Sequence, residues 1–219
     1  MDISFPKQGS LILIPIGGIT DLSTIDYPDH VSMVLYTLGC NLRCPYCHNY
    51  KLLDLSNPSI PLDRILGLIE ENKLIDAIVI SGGEPTIHGD ELIKFIKVLK
   101  KTGKLIKLDT NGTNPKILEQ ALPLIDFVAM DIKTSPNIYE KVFKAKLDSI
   151  KRSIRLIINS DIPFQFRCTL VYPFVSEENI YSIRNLALYH PIKFQRAKLD
   201  DVLDPHFPMC KITEEELSL

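Results

Sequence analysis

The sequence predicts an α/β protein built as an open, partial (βα)6 barrel with parallel strands. Short apolar runs alternate with segments of helical periodicity about six times, with short connections between them. Polar or glycine-rich phrases follow directly after the apolar runs. Six units are fewer than the eight that close a full barrel, so we expect a curved sheet with one open side.

The first predicted strand is the apolar run from Val31 to Leu38, which Gly39 ends. The preceding segment, Thr20 to Pro28, is rich in turn and capping residues, so we expect a loop or an entry arm there. The run from Leu11 to Ile16 is too short, and too soon broken by Pro15, to be a signal peptide or a membrane span. The sequence therefore predicts a cytoplasmic protein.

The later strands and helices alternate. Continuous apolar runs predict buried parallel strands at 77–80, 105–108, 127–130, 164–171 and 192–194. Apolar residues at helical spacing predict helices at 61–73, 92–99, 115–121 and 147–157, and a last helix that begins at Ser176. Each polar phrase thus lies at the carboxyl end of a predicted strand, where parallel α/β folds build their sites.

Length and composition indicate a single globular domain with a substantial core. We divide it into an N-terminal arm (1–30), the barrel (31–200) and a C-terminal tail (201–219). The tail holds a kinked connector, 204–208, and the start of a short helix at 213–216; it is expected to pack as a tail, with a cover over the open edge as the alternative. A formal net charge of −2 and scattered lysines argue against a nucleic-acid partner, and no membrane partner is expected either.

Three cysteines, Cys40, Cys44 and Cys47, follow the first strand at C-x3-C-x2-C spacing. Neither the strand period nor the helix period brings three such thiols together, so we expect a loop folded around a metal centre. Structural zinc usually takes four ligands, and so does an ordinary four-iron cluster. A cubane held by three thiolates would leave one iron open to an exogenous chelating molecule.

Other readings of the cysteines remain open. A zinc site would need His48, Cys168 or Cys210 as a further ligand. A disulfide framework is disfavoured because the chain has five cysteines and no secretory segment is expected. We expect the isolated Cys168 and Cys210 to be ordinary thiols. We therefore expect the chain to hold one cluster only.

The polar phrases at the other strand ends are Gly82-Gly83-Glu84-Pro85, Asp109-Thr110-Asn111-Gly112, Asp131-Ile132-Lys133 and Gln195-Arg196. Paired glycines let the backbone approach a ligand, and Glu84 offers a carboxylate to an ammonium group. The plainer alternatives are a turn, a helix start and a surface ion pair. Two buried carboxylates at one edge would require cationic partners, such as Lys133 or a bound cation.

The cysteine triplet, with the aromatic Tyr46 before its third member, resembles the radical S-adenosylmethionine (SAM) enzymes. The phrase Gly82-Gly83-Glu84-Pro85 matches that family's motif for the amino group of SAM. In that family the methionine moiety of SAM chelates the open iron, and the reduced cluster cleaves SAM to a 5′-deoxyadenosyl radical. The resemblance implies the radical SAM core fold, one [4Fe-4S] cluster on Cys40, Cys44 and Cys47, and SAM as the second cofactor.

The residues in and around these motifs resemble the glycyl radical enzyme activating family, most closely the activating proteins of anaerobic ribonucleoside-triphosphate reductase. The similarity runs from about Ile19 to about Asp200 and is carried by residues 21–28, 39–49, 81–86, 108–112 and 130–133. It implies hydrogen abstraction from a glycine Cα of a partner enzyme, with a low-potential electron donor such as flavodoxin or ferredoxin. No side chain is expected to be catalytic, because the protein positions the cofactors and shields the radical.

The same resemblance implies which residues bind the cofactor. Gly82, Gly83 and Glu84 would contact the SAM amino group, and Asp109 and Asp131 would flank a monovalent cation beside its carboxylate. The complete candidate set is Tyr46, Gly82, Gly83, Glu84, Asp109, Asn111, Asp131, Lys133 and Arg167. A histidine late in the family's sequence is replaced here by the phrase Phe194-Gln195-Arg196, so its contact is expected from Gln195 or Arg196.

Two further functions stay open. A radical SAM enzyme with a small-molecule substrate, similar to the 7-carboxy-7-deazaguanine synthases, would carry the same motifs. Those enzymes usually have aspartate and threonine after the third cysteine, so His48-Asn49 favours the activating enzyme. A noncatalytic iron–sulfur or zinc protein would bind metal without cleaving SAM, and would not need the glycine and carboxylate phrases at the same edge.

Overall fold

The computed structural model describes residues 14–198 and 200–207. In these ranges seven strands form one curled, open sheet in the order of the sequence. They are β1 (Ile16–Tyr27), β2 (His30–Thr37), β3 (Ala77–Gly82), β4 (Leu105–Thr110), β5 (Phe127–Asp131), β6 (Phe164–Leu170) and β7 (Ile192–Arg196). β1 pairs with β2 antiparallel, and all later pairs are parallel. The predicted open partial barrel is confirmed, with one antiparallel strand added at its edge.

The prediction of a loop at Thr20–Pro28 was wrong, because most of this segment belongs to β1. The strand is held by backbone pairing with β2, in which Ile19 faces Leu35 and Ser23 faces Ser32. Register shifts interrupt the pairing in three places, and many of its side chains are exposed. An irregular edge strand needs little apolar alternation, which is why its composition resembles that of a loop.

Helices join the parallel strands and pack on the outer face of the sheet. They are α1 (Leu62–Glu71), α2 (Asp90–Lys100), α3 (Pro115–Ala121), α4 (Pro136–Ile138), α5 (Leu147–Ile158) and α6 (Glu177–Leu186). The predicted helices are confirmed with boundaries within about two residues, whereas α4 and the π turn that follows it (Tyr139–Phe143) were not predicted. Within the described residues, no helix combines the length and apolar character needed to cross a membrane.

The two faces of the sheet differ in chemistry. On the outer face, Phe166, Cys168 and Leu170 of β6 join the main apolar core with the helices. The inner face carries a smaller apolar cluster near the strand starts, formed by Tyr27, Val34, Ala77, Val79, Phe127 and Ala129. Because side chains alternate along a strand, Arg167 lies on the inner face, opposite its neighbours Phe166 and Cys168. The inner face therefore becomes polar towards the carboxyl ends of the strands.

The described part of the C-terminal segment returns to the cysteine loop. Backbone hydrogen bonds run from Leu203 to the carbonyl of Cys47 and from Asp204 to the carbonyl of Pro45. Cys210 and the predicted helix start at 213–216 lie outside the described residues, as do residues 11–13 of the N-terminal apolar run. The division of the chain into arm, barrel and tail stays a prediction.

Candidate metal and cofactor site

A cavity of about 450 Å³ lies at the carboxyl ends of the parallel strands. All three predicted metal ligands and all nine predicted cofactor-binding residues line it, although they come from five separate stretches of the chain. Gln195 and Arg196, the expected replacements for the late histidine, line it as well. The volume lies in the range of small-molecule sites. The structure therefore brings the whole predicted set together at one place.

The cysteine loop follows β2 and turns at Gly39, whose φ of 82° is readily adopted only by glycine. The amide of Leu42 points at Sγ of Cys40 at 3.4 Å, and the amide of Cys47 donates to the carbonyl of Cys44 at 2.9 Å. Burial raises the pKa of the Cys44 thiol to about 11, and the Lys133 ammonium opposes this shift. Metal binding requires the thiolate, so coordination at this buried position releases a proton.

The donor set fits a cluster with one iron free of protein ligands. Three cysteine thiols line the cavity, whereas Cys168 lies on the opposite face of β6 within the apolar core. Nδ1 of His48 lies 3.0 Å from the carbonyl oxygen of Asp201. Among the described residues, no group of three or more His, Cys, Asp or Glu side chains is arranged to hold a single metal ion. A cubane distributes its thiolates over separate irons, so it does not require such convergence.

The glycine pair lets the end of β3 and the loop that follows it lie against the end of β2 and the start of the cysteine loop. A Cβ on Gly83 would lie 1.9 Å from the carbonyl oxygen of Gly39, and one on Gly82 would lie 2.3 Å from the amide nitrogen of Thr37. The amide of Glu84 donates to the same Gly39 carbonyl at 2.9 Å. From the sequence, the paired glycines are expected to let a ligand approach the backbone. In the structure, it is the backbone leading into the cysteine loop that approaches them. The contact with SAM stays a prediction.

The Glu84 carboxylate ties the ends of β3 and β4 together. Its side chain is buried, and its Oε1 accepts hydrogen bonds from Thr110 Oγ1 at 2.7 Å and from the Thr86 amide at 3.1 Å. Its Oε2 accepts from the Asn111 amide at 2.6 Å. Burial raises the pKa of Glu84, and these hydrogen bonds oppose the shift. Oε2 keeps a second lone pair, so this residue can position its neighbours and still accept from a ligand.

Five charged side chains form a chain of ion pairs across β4, β5 and β6. Lys107 Nζ lies 3.0 Å from Asp109 Oδ1, and Arg167 NH1 lies 3.1 Å from Asp109 Oδ2. Arg167 Nε lies 2.7 Å from Asp131 Oδ1, and Lys133 Nζ lies 2.9 Å from Asp131 Oδ2. The Arg167 guanidinium therefore bridges the two carboxylates. Three cations against two carboxylates give this network of five residues a formal charge of +1.

The ion pairs outweigh burial in setting the charge states. Burial alone would raise the pKa of Asp131, but the guanidinium of Arg167 and the ammonium of Lys133 hold it well below its usual range. Burial alone would lower the pKa of Lys133, and the Asp131 carboxylate holds it well above the ordinary value. About a quarter of the Asp131 side chain, 26%, still faces the cavity, so water screens part of these interactions. Asp131 and Lys133 are therefore both charged at neutral pH.

Lys107 is a member of this network that sequence reasoning missed. Its side chain is only 3% exposed, and its ammonium also donates to the Asp26 carbonyl of β1. Nζ does not point along a hydrogen-bonding direction of Asp109 Oδ1, so that oxygen has a charge partner but no hydrogen bond among the described residues. The available signal was a lysine in the middle of an apolar parallel strand, which requires a buried counter-charge.

We expect Lys107→Met to lower the free energy of unfolding by about 3 kcal/mol, because losing one partner of a buried ion pair costs about 3–5 kcal/mol. Urea unfolding of the metal-free protein measures this. Lys97→Met is the matched control, since Lys97 lies on the exposed side of α2 and should change stability by less than about 0.5 kcal/mol. Equal effects of the two substitutions would contradict a buried role for Lys107.

The Tyr46 ring anchors the cysteine loop in the core. It is 7% exposed, and its centroid lies 6.3 Å from Phe143, 5.5 Å from Phe174 and 6.1 Å from Phe207. Its hydroxyl has no hydrogen-bond partner among the residues described. The predicted contact of Tyr46 with the cofactor stays a prediction, because the ring packs among phenylalanines while the residue also lines the cavity.

Comparison with known proteins adds sequence relatives. A model of the radical SAM superfamily matches residues 34–188. A protein of Methanocaldococcus jannaschii, whose name assigns it to the glycyl-radical enzyme activating enzymes, is 36% identical over 211 residues, covering 91% of this chain and 88% of that protein. The pyruvate formate-lyase-activating enzyme of Staphylococcus aureus strain USA300 is 30% identical over 161 residues, covering 62% of this chain and 64% of that enzyme.

Two solved structures are similar in fold. TYW1 with a lysine-pyruvate adduct bound aligns with a TM-score of 0.60 at 13% identity, covering 84% of this chain and 70% of that one. The native anSMEcpe with bound AdoMet and Kp18Cys peptide aligns with a TM-score of 0.56 at 18% identity, covering 73% and 49%. At such low identities the likeness shows the fold alone, and that fold is the curled, open half-barrel described above.

Proposed function

Because the chain belongs to the radical SAM superfamily and, within it, to the glycyl-radical enzyme activating enzymes, we propose that it forms a glycyl radical on an anaerobic ribonucleoside-triphosphate reductase. The observation that carries the proposal is the convergence of the cysteine loop, the Gly-Gly-Glu loop and the ion-pair network on one cavity. The choice of the reductase as partner rests on the resemblance of residues 21–28 and 39–49 to the activating proteins of that reductase.

The chain's own residues would divide the work of holding the cofactors. Cys40, Cys44 and Cys47 would hold a [4Fe-4S] cluster, and the loop at Gly83 and Glu84 would receive the amino group of SAM. When bound, the cluster and SAM supply the electron transfer and the 5′-deoxyadenosyl radical that takes a hydrogen atom from the partner's glycine. The protein orients both groups and excludes water, which is the usual contribution of the protein in cofactor chemistry.

The surplus charge of the ion-pair network suits one anionic group of the cofactor. Lys107, Asp109, Arg167, Asp131 and Lys133 together carry a formal charge of +1, since three cations face two carboxylates. The methionine carboxylate of SAM would neutralise it. A monovalent cation between Asp109 and Asp131, which the family resemblance implies, would compete with the guanidinium that now bridges them.

The open side of the barrel supports a macromolecular substrate. In the described part of the chain the sheet ends at β7, and Gln195 and Arg196 of that strand line the cavity. A loop of a partner enzyme can enter from this side, and a low-potential flavodoxin or ferredoxin would supply the electron. The family relationship disfavours the noncatalytic alternative. The small-molecule alternative has no observation of its own in this structure.

The test uses the reconstituted protein with a reductase whose glycines carry deuterium at Cα. We expect a glycyl radical signal by electron paramagnetic resonance (EPR) and transfer of deuterium to 5′-deoxyadenosine. Pyruvate formate-lyase serves as the competing partner. A radical only on pyruvate formate-lyase would overturn the choice of partner and keep the activity, whereas SAM cleavage with no deuterium transfer from either protein would overturn the activity.

A further inference from the structure

Residues 201–207, the C-terminal strap, contact the cysteine loop through the backbone. The Leu203 amide donates to the Cys47 carbonyl at 3.1 Å, and the Asp204 amide donates to the Pro45 carbonyl at 3.0 Å. These two carbonyls flank Tyr46 on either side. Two consecutive amides of the strap thus donate to the cysteine loop, which lies more than 150 residues away along the chain.

The strap also completes the aromatic cluster around Tyr46. Phe207 is 7% exposed, and its ring stacks on Phe174 with centroids 5.9 Å apart and planes 10° apart. Its centroid lies 6.1 Å from that of Tyr46. Removing this ring would open one wall of the pocket that holds Tyr46, and Tyr46 directly precedes the ligand Cys47.

The strap has an ordered local shape. Asp204 closes a turn, because its Oδ1 accepts from the His206 amide at 2.9 Å and its carbonyl accepts from the Phe207 amide at 2.9 Å. At the other end, the Asp201 carbonyl lies 3.0 Å from Nδ1 of His48, and the Asp201 carboxylate lies 3.5 Å from Nζ of Lys51. The last contact is exposed and contributes little. The two backbone hydrogen bonds and the Phe207 ring are the main connections.

The cysteine loop makes few such connections within itself. Its own hydrogen bonds are the one from Cys47 to the Cys44 carbonyl, the contact of Leu42 with Cys40 Sγ, and those from Arg43 to the carbonyls of Cys40 and Leu42. Ligand loops must be held close to their bound geometry to retain a metal centre, and residues around the ligands provide that support. The far end of the chain supplies part of it here.

We propose that the C-terminal strap is a positioning element that keeps the cysteine loop in the shape that retains the cluster, with Phe207 as its main anchor. The inference rests on the proposed function, because it assumes that Cys40, Cys44 and Cys47 hold a cluster. Phe207 packs against the ring of Tyr46, so it acts on the cysteine loop through Tyr46 and the backbone. Its loss should therefore change cluster retention before it changes the fold.

The test compares reconstituted wild type, Phe207→Ala and Phe207→Leu under anaerobic challenge with an iron chelator. We expect Phe207→Ala to lose its iron–sulfur absorbance at least tenfold faster than wild type, and Phe207→Leu to recover most of the difference because it refills the pocket. The EPR spectrum of the reduced cluster should broaden in Phe207→Ala, since a looser loop holds the ligands in several geometries. A purely structural role would leave that spectrum unchanged.

Leu122→Ala is the matched control, because Leu122 is also 7% exposed and belongs to the main core but lies between α3 and the start of β5, at the end of the sheet opposite the cysteine loop. It should lower thermal stability and leave the rate of cluster loss within twofold of wild type. Equal rates of cluster loss in Phe207→Ala and Leu122→Ala would overturn the proposal. A wild-type protein that never retains iron would instead contradict the proposed function, so the two failures are distinguishable.

Discussion

We expect Cys44→Ala to reduce the formation of 5′-deoxyadenosine to background and the iron content from about four per chain to less than about one. Cys44 is the most buried of the three thiols, at 9% exposure, and water cannot replace a lost ligand there. Two remaining thiolates would leave two irons of a cubane without protein ligands. Iron analysis after anaerobic reconstitution and product analysis after reduction with dithionite measure both effects.

Cys168→Ala is the control for this experiment. Its thiol lies on the outer face of β6 within the apolar core, so the substitution should leave iron and product unchanged and lower stability only slightly. Zinc in the purified protein, or an iron content in Cys44→Ala equal to that of wild type, would contradict the assignment of the three ligands.

Arg167→Gln should weaken SAM binding to the reconstituted protein by about 10- to 100-fold. A hydrogen bond to a charged group contributes about 1.5–3 kcal/mol, and each 1.4 kcal/mol corresponds to tenfold in affinity. The guanidinium bridges Asp109 and Asp131, and its loss changes the formal charge of the network from +1 to 0. SAM-induced changes in the EPR spectrum of the reduced cluster, titrated against SAM concentration, measure the affinity.

The matched variant is Arg167→Lys, which keeps the charge but presents a single ammonium in place of the planar fork that reaches both carboxylates. Its affinity for SAM should lie between those of the wild type and Arg167→Gln. Each protein is titrated in KCl and in choline chloride at equal ionic strength. We expect the wild type to bind equally in both salts and Arg167→Gln to bind better in KCl. If the wild type binds SAM more tightly in KCl than in choline chloride, the result would support the monovalent cation implied by the family resemblance.

Local sequence patterns predicted individual helices and strands more reliably than they predicted which strands pair with each other. The helical periodicity of 92–99 and the apolar run at 77–80 are properties of neighbouring residues, so α2 and β3 were correctly predicted. β1 was missed because its stability comes from backbone pairing with β2, which leaves little mark on composition. The residue types of the cysteine and Gly-Gly-Glu motifs likewise predicted two of the loops that line the cavity.

By itself, the sequence determined the fold class and the edge of the sheet that carries the site, because period and motif spacing are local quantities, and its resemblance to a known family supplied most of the residues expected there. Only the tertiary structure decided how those residues divide their work. It placed Lys107 in the ion network, Arg167 between two carboxylates, the Gly83 backbone against Gly39, and Phe207 beside Tyr46. Each of these contacts joins residues far apart in the chain, and only the packing of the folded sheet brings them within reach.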